Sequence, residues 1–126
     1  MNKNQFFKAF LESAKKLLNN NSSVERVIKQ VVIFLKKNRN IKNSIEYLEL
    51  MVDMLKNYLS GTYKEIPSRS IYAILAGFIY LVAPIDAIPD TIPIAGLGDD
   101  AAVIKAVIDY ILKDIETFRQ WKIRHA

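Results

Sequence analysis

Cysteine is missing from all 126 residues. Disulfides are therefore excluded, as is any metal or redox chemistry that depends on a thiolate. The composition fits a reducing compartment. Histidine occurs once, at His125, beside the last residue. A catalytic triad or a zinc site needs an imidazole held among fixed partners, and a chain end is a poor place to hold one. Glycine is scarce, with 4 residues. Gly96-Leu97-Gly98 is too short for a phosphate-cradling loop, and no predicted strand precedes it. Ser68 and Ser70 have no evident base beside them in the sequence. The aromatic residues are not interleaved with basic ones as in single-strand binders, so nucleic acid is not expected as a partner.

Long apolar runs are also lacking. The longest stretch without a charge, Ser70 to Ile85, has 16 residues, which is below the 18 or so that read as a spanning helix, and Pro84 stops it. A buried core helix is the expected outcome. The N-terminal M-N-K-N-Q-F-F-K offers neither an apolar h-region nor a small-residue cleavage site, so no secretory signal is expected. These features predict a cytoplasmic protein, with a peripheral position at a membrane as the variant.

What the chain does have is apolar residues in helical register. With 51% of it apolar, the chain suits one helical domain over residues 1–126 around a single core. Five stripes of period near 3.6, and no sustained alternation, predict an all-α bundle with helices over 3–19, 23–37, 43–60, 68–83 and 99–120. Phe6, Phe7, Phe10, Leu11, Ala14, Leu17 and Leu18 form the first stripe, which faces either a core or a membrane surface. Ser22-Ser23-Val24-Glu25 reads as a capping box with Ser22 as the cap. Val24, Val27, Ile28, Val31, Phe34 and Leu35 then face inward. Asn43-Ser44-Ile45-Glu46 is a further cap signature, Met51, Met54 and Tyr58 read as core fillers, and Gly61 is placed to end the third helix. The helix from about residue 68 is apolar all round, which demands central burial. Ala73 and Gly77, four apart on one face, would let another backbone approach closely. Ile104, Val107, Ile108, Ile111, Ile115 and Phe118 give the last helix its inner face, with Lys105–Asp109 and Asp109–Lys113 as outer ion pairs.

Charge is divided along the chain. Residues 1–69 carry 13 Lys and Arg against 6 Asp and Glu, within a total of +5. Lys8, Lys15, Lys16, Lys36, Lys37 and Arg39 are the candidate contacts with a phosphate or an acidic surface. Lysines on the solvated faces of amphipathic helices, and cations complementing helix C-termini, account for the same pattern.

Between the last two helices lies the most distinctive stretch, Tyr80 to Asp100. It sets Pro84, Pro89 and Pro93 and the turn glycines Gly96 and Gly98 among Ile, Leu and Val. So apolar a turn is expected to be buried. Its P-I-D-x-I-P-D-x-I-P-x-x-G-x-x-D-D pattern, carried by Pro84, Ile85, Asp86, Ile88, Pro89, Asp90, Ile92, Pro93, Gly96, Asp99 and Asp100, resembles the YkvA-like domain, a bacterial family of unknown function. Related copies occur in some membrane-associated eukaryotic proteins. The resemblance covers about residues 65–110. Ala83 and Ala87 depart from it, standing where the family often has Ser and Leu. It implies a helical hairpin around the proline turn, with a C-terminal helix to residue 126 and the basic helices over 1–60 outside the match. It implies no activity.

Asp86, Asp90, Asp99 and Asp100 could converge on Mg²⁺ or Ca²⁺, since oxygen-only clusters suit hard cations. Each could equally cap a helix or close an Asx-turn. Two functional classes follow. One is a non-catalytic interaction module, of adaptor or immunity type, that meets an acidic protein partner or, second to it, an anionic membrane surface. The other is a carboxylate-centred metal-binding protein or hydrolase.

Overall fold

Asn20 starts the second helix. Its side-chain oxygen accepts the Ser23 amide at 3.2 Å, and its carbonyl accepts the amides of Ser23 and Val24 at 3.1 Å. This satisfies donors that the first turn leaves unpaired. The helix therefore begins at Asn21, and Ser22, expected as the cap, lies inside the first turn. An Asn caps as well as a Ser does, and Asn20 stands directly before the first helical residue.

The computed structural model describes residues 3–37, 42–82 and 100–125, and side chains over 11–37, 45–82 and 104–125. These residues form five helices: α1 (Lys3–Leu18), α2 (Asn21–Lys37), α3 (Lys42–Ser60), α4 (Ser68–Val82) and α5 (Asp100–Arg124). No strand occurs among the described residues. The proline turn lies outside them, as do its aspartates Asp86, Asp90 and Asp99.

α4 is the axis of the bundle, and each of the other four helices packs against it. Its apolar sequence explains the position: Ser70, Ile71 and Ala73 through Phe78 are all buried. Around it α2 contributes Val24, Ile28, Val31 and Leu35, and α3 contributes Leu48, Met51, Met54 and Leu55. In α1, Ala14 is fully buried and Leu17 and Leu18 pack on the core. The described part of α1's apolar face is thus spent inside the bundle.

Gly61 closes α3 with φ of +80°, a conformation open to glycine at little cost. Its amide donates to Tyr58, and the Tyr63 amide donates to Asn57. The connection onward is pinned down, with Tyr63 and Ile66 both buried. The Tyr63 ring meets Phe118 edge-on at 5.1 Å and Trp121 at 4.8 Å. Burial raises the Tyr63 pKa above the ordinary tyrosine value, helped by the negative charges of Glu65 and Asp114 and opposed by Arg124. The unfolded chain therefore loses this proton first as pH rises. Stability from this group is complete below about pH 10 and is lost above it. Urea titrations between pH 9 and 11 should show a decline that Tyr63→Phe reduces. An unchanged decline in Tyr63→Phe would assign it to other groups.

α5 is not straight. Ile111 has φ of −114° and ψ of 15°, and beyond the break the helix reaches α3 as well as α4. Before it, Val107 lies on Gly77 of α4. After it, Arg119 and Lys122 reach Glu46 and Asp53 of α3. The break also separates the two expected ion pairs. Lys105 holds Asp109 at 2.9 Å, whereas Asp109–Lys113 spans Ile111 and does not form, because the residues no longer stand one regular turn apart.

Candidate functional site

The candidate interaction residues predicted from sequence fall at separate places. Lys15 and Lys16 end α1, and Lys36 and Lys37 end α2. The fifteen steps from Asn21 to Lys36 rise about 22 Å at 1.5 Å each, so the two lysine pairs do not form one patch. Lys15 is also engaged locally, with its ammonium 5.6 Å from the Tyr72 ring centre and 3.7 Å from Glu12. Lys8 lies on α1 with its side chain outside the described residues, and Arg39 lies outside them altogether. Asp100 is the first residue of α5, where a carboxylate suits the positive end of the helix dipole. Its side chain, and the convergence of the four aspartates, lie outside the described residues. Among those that are described, no three His, Cys, Asp or Glu side chains are grouped to hold a metal.

Two features were not legible as sites in the sequence. The first is inside the bundle. Ser70 is fully buried, and its hydroxyl donates to the carboxylate of Asp114, 44 residues away on α5. This is the carboxylate that the sequence hid from Ser70. With the hydroxyl sealed in the core, the pair locks α5 to α4 and offers no access to a substrate. Ser70→Ala should cost about 1 kcal/mol, because the half-buried Asp114 can still turn to water. Thermal melts of Ser70→Ala, Asp114→Ala and the double variant measure the coupling; additive losses would show that the bond contributes nothing.

The second is a groove between α2 and α3, with a volume of about 670 Å³. α2 and α3 touch each other little, since both lean on the rest of the bundle. Ile28, Val32 and Ile33 line one wall and Leu59 the other, with Lys29 and Lys56 facing across it and Asn21, Glu25 and Ser60 closing the set. Ile33 is 51% exposed beside the groove; Tyr110 and Ile123 of α5 are the other large apolar residues exposed to at least this degree among the described residues. Among the described residues Lys29, Lys36, Lys37 and Lys56 make no ion pair or hydrogen bond. On α5, Lys105 pairs with Asp109, Arg119 with Glu46 at 3.0 Å, and Lys122 with Asp53, while Lys113 and Arg124 make no ion pair among the described residues. The cations of the α2–α3 side are left to act outward. The signal in the sequence was that Val32 and Ile33 fall off the inward stripe of α2. Nothing along the chain placed Lys56 opposite Lys29.

Known proteins give the chain a family without an activity. The family model described as a protein of unknown function, DUF1232, matches residues 70–106, which run from the buried serine of α4 into the first turns of α5. A protein of Bacillus subtilis (strain 168) named "Uncharacterized membrane protein YkvA" is 30% identical over 88 residues, 70% of this chain and 83% of that one. No solved structure matches. Among the described residues no helix is long and apolar enough to cross a membrane. With an identity at this level spread over most of both chains, and the family model centred on the α4–α5 pair, the chain belongs to the YkvA-like family of unknown function, DUF1232.

Proposed function

We propose that this protein is a non-catalytic interaction module, cytoplasmic and peripheral, that docks on an anionic membrane surface through the α2–α3 side of its bundle. The observation that carries the reading is the set of unpaired lysines, Lys29, Lys36, Lys37 and Lys56, flanking the exposed Ile33. Lysines beside an exposed aliphatic residue suit a layer with phosphates outside and hydrocarbon within. The name of the Bacillus subtilis relative supports the membrane over the acidic protein partner that the charge distribution alone would also suit. Each lysine near such a surface contributes about 1 kcal/mol, and the attraction falls away as salt shortens the Debye length.

Flotation with phosphatidylglycerol vesicles and with neutral phosphatidylcholine vesicles tests this. The wild type should float with the first at low salt, sink at 1 M salt and ignore the second. Replacing Lys29, Lys36, Lys37 and Lys56 by Gln should abolish flotation, while replacing Lys15 and Lys16 should change it less. Flotation indifferent to lipid charge would overturn the reading. Absence of flotation together with one stoichiometric acidic protein from the native cell would transfer the site to that protein.

A further inference from the structure

We propose that the α2–α3 groove takes one acyl chain of an anionic phospholipid, with the ammonium groups of Lys29 and Lys56 on its headgroup; this deepens the docking reading and rests on it. Three observations lead there. The groove is a volume of about 670 Å³, in the size range of sites that bury a small ligand. Its aliphatic part is made by Ile28, Val32, Ile33 and Leu59, which offer no hydrogen bond to a polar occupant, while Asn21, Glu25 and Ser60 make its other end polar. Its cations stand on both walls and are unpaired among the described residues.

The direction of the occupant follows from the charges. Glu25 lies one turn before Lys29 on α2 and repels an anion, so the headgroup sits at Lys29 and Lys56. Ile33 lies one turn after Lys29, so the chain runs along Val32 and Ile33. A flat electrostatic contact would need only the lysines. A groove with an aliphatic floor between them gives the contact a hydrophobic part, which salt does not screen.

Calorimetric titration of the full chain with lysophosphatidylglycerol below its micelle concentration is the test. Saturable one-to-one binding is expected, with lysophosphatidylcholine weaker by about tenfold and Lys29→Gln or Lys56→Gln weaker by a similar factor. Val32→Trp, which fills the groove, should remove binding. Ile33→Glu, at an exposed position that tolerates a charge, should weaken it strongly and keeps the test valid if Val32→Trp does not fold. Absence of saturable binding, or binding unchanged in both variants, overturns the proposal. So does a dimer that Val32→Trp dissolves, or preferential binding of an acidic amphipathic peptide, since each assigns the groove to another occupant. Vesicle flotation keeps the two ideas apart. Lysine-dependent flotation without lysolipid binding refutes the groove alone, and lysolipid binding without flotation refutes membrane docking alone.

Discussion

Phe118→Ala is expected to destabilise the protein by about 3–5 kcal/mol, a loss of roughly 10–20 °C in the melting temperature. Phe118 is fully buried, and it joins the α3–α4 connection to the C-terminal end of α5. Its ring lies 5.1 Å from Tyr63 and 5.6 Å from Trp121, and Trp121 in turn stacks on His125 at 4.7 Å. Removing the ring leaves a cavity whose other walls belong to the α3–α4 connection and to α5, and these cannot collapse together without loosening both. A natural domain has only about 5–15 kcal/mol in reserve, so the variant stands close to unfolding. Phe118→Leu, which keeps most of the volume, should recover much of the loss. A melt within 2 °C of wild type for Phe118→Ala would show that the aromatic cluster does not hold the C-terminal half of α5.

Gly77→Leu should cost at least about 1–3 kcal/mol, the usual penalty of overpacking. A Cβ built on Gly77 would stand 3.0 Å from Cγ2 of Val107 and 3.7 Å from its Cβ. Val107 is itself fully buried and branched at Cβ, so it has little room to turn away. Gly77→Ala is a gentler case, because alanine is worth about 1 kcal/mol more than glycine within a helix. That gain offsets the crowding, and the net change should be small. The interaction is separable: Val107→Ala in the Gly77→Leu background should restore part of the stability, whereas the two changes would add if they were independent. Additive losses in denaturant melts would mean that α5 does not rest on Gly77.

Ala73 and Gly77 illustrate how much of the fold could be read beforehand. Small residues four apart predicted a close neighbour without naming it, and Val107 of α5 proved to be the group above Gly77. The five helices were legible because each has an apolar stripe of one period. α4 was legible as the centre because it has no polar side to leave in water. Local chemistry was harder. Ser22 looked like a cap because Glu25 follows three residues later, yet Asn20 took the role. The broken turn at Ile111 had no Pro or Gly to announce it, so the Asp109–Lys113 pair was expected and does not form.

The site was legible only in its sign. An excess of lysine in residues 1–69 predicted a basic half, but the sequence favoured pairs of adjacent lysines at helix ends. The groove instead places Lys29 and Lys56, which are 27 residues apart, on its two walls, because α2 and α3 pack mainly on the rest of the bundle and little on each other. Ser70 and Asp114 were hidden for the same reason. Contacts between helices depend on rotation and crossing angle, which a stripe within one helix does not specify.

The absence of cysteine makes the central claim directly measurable, since a single introduced thiol carries the only label. Ile33→Cys in the groove and Leu112→Cys on the exposed side of α5, where Leu112 is 39% exposed, would each be coupled to an environment-sensitive fluorophore. On addition of phosphatidylglycerol vesicles at low salt, the dye at position 33 should shift to shorter wavelength and brighten, and the dye at position 112 should stay unchanged. A shift at position 112 with none at position 33 would contradict the assignment of the α2–α3 side as the docking face.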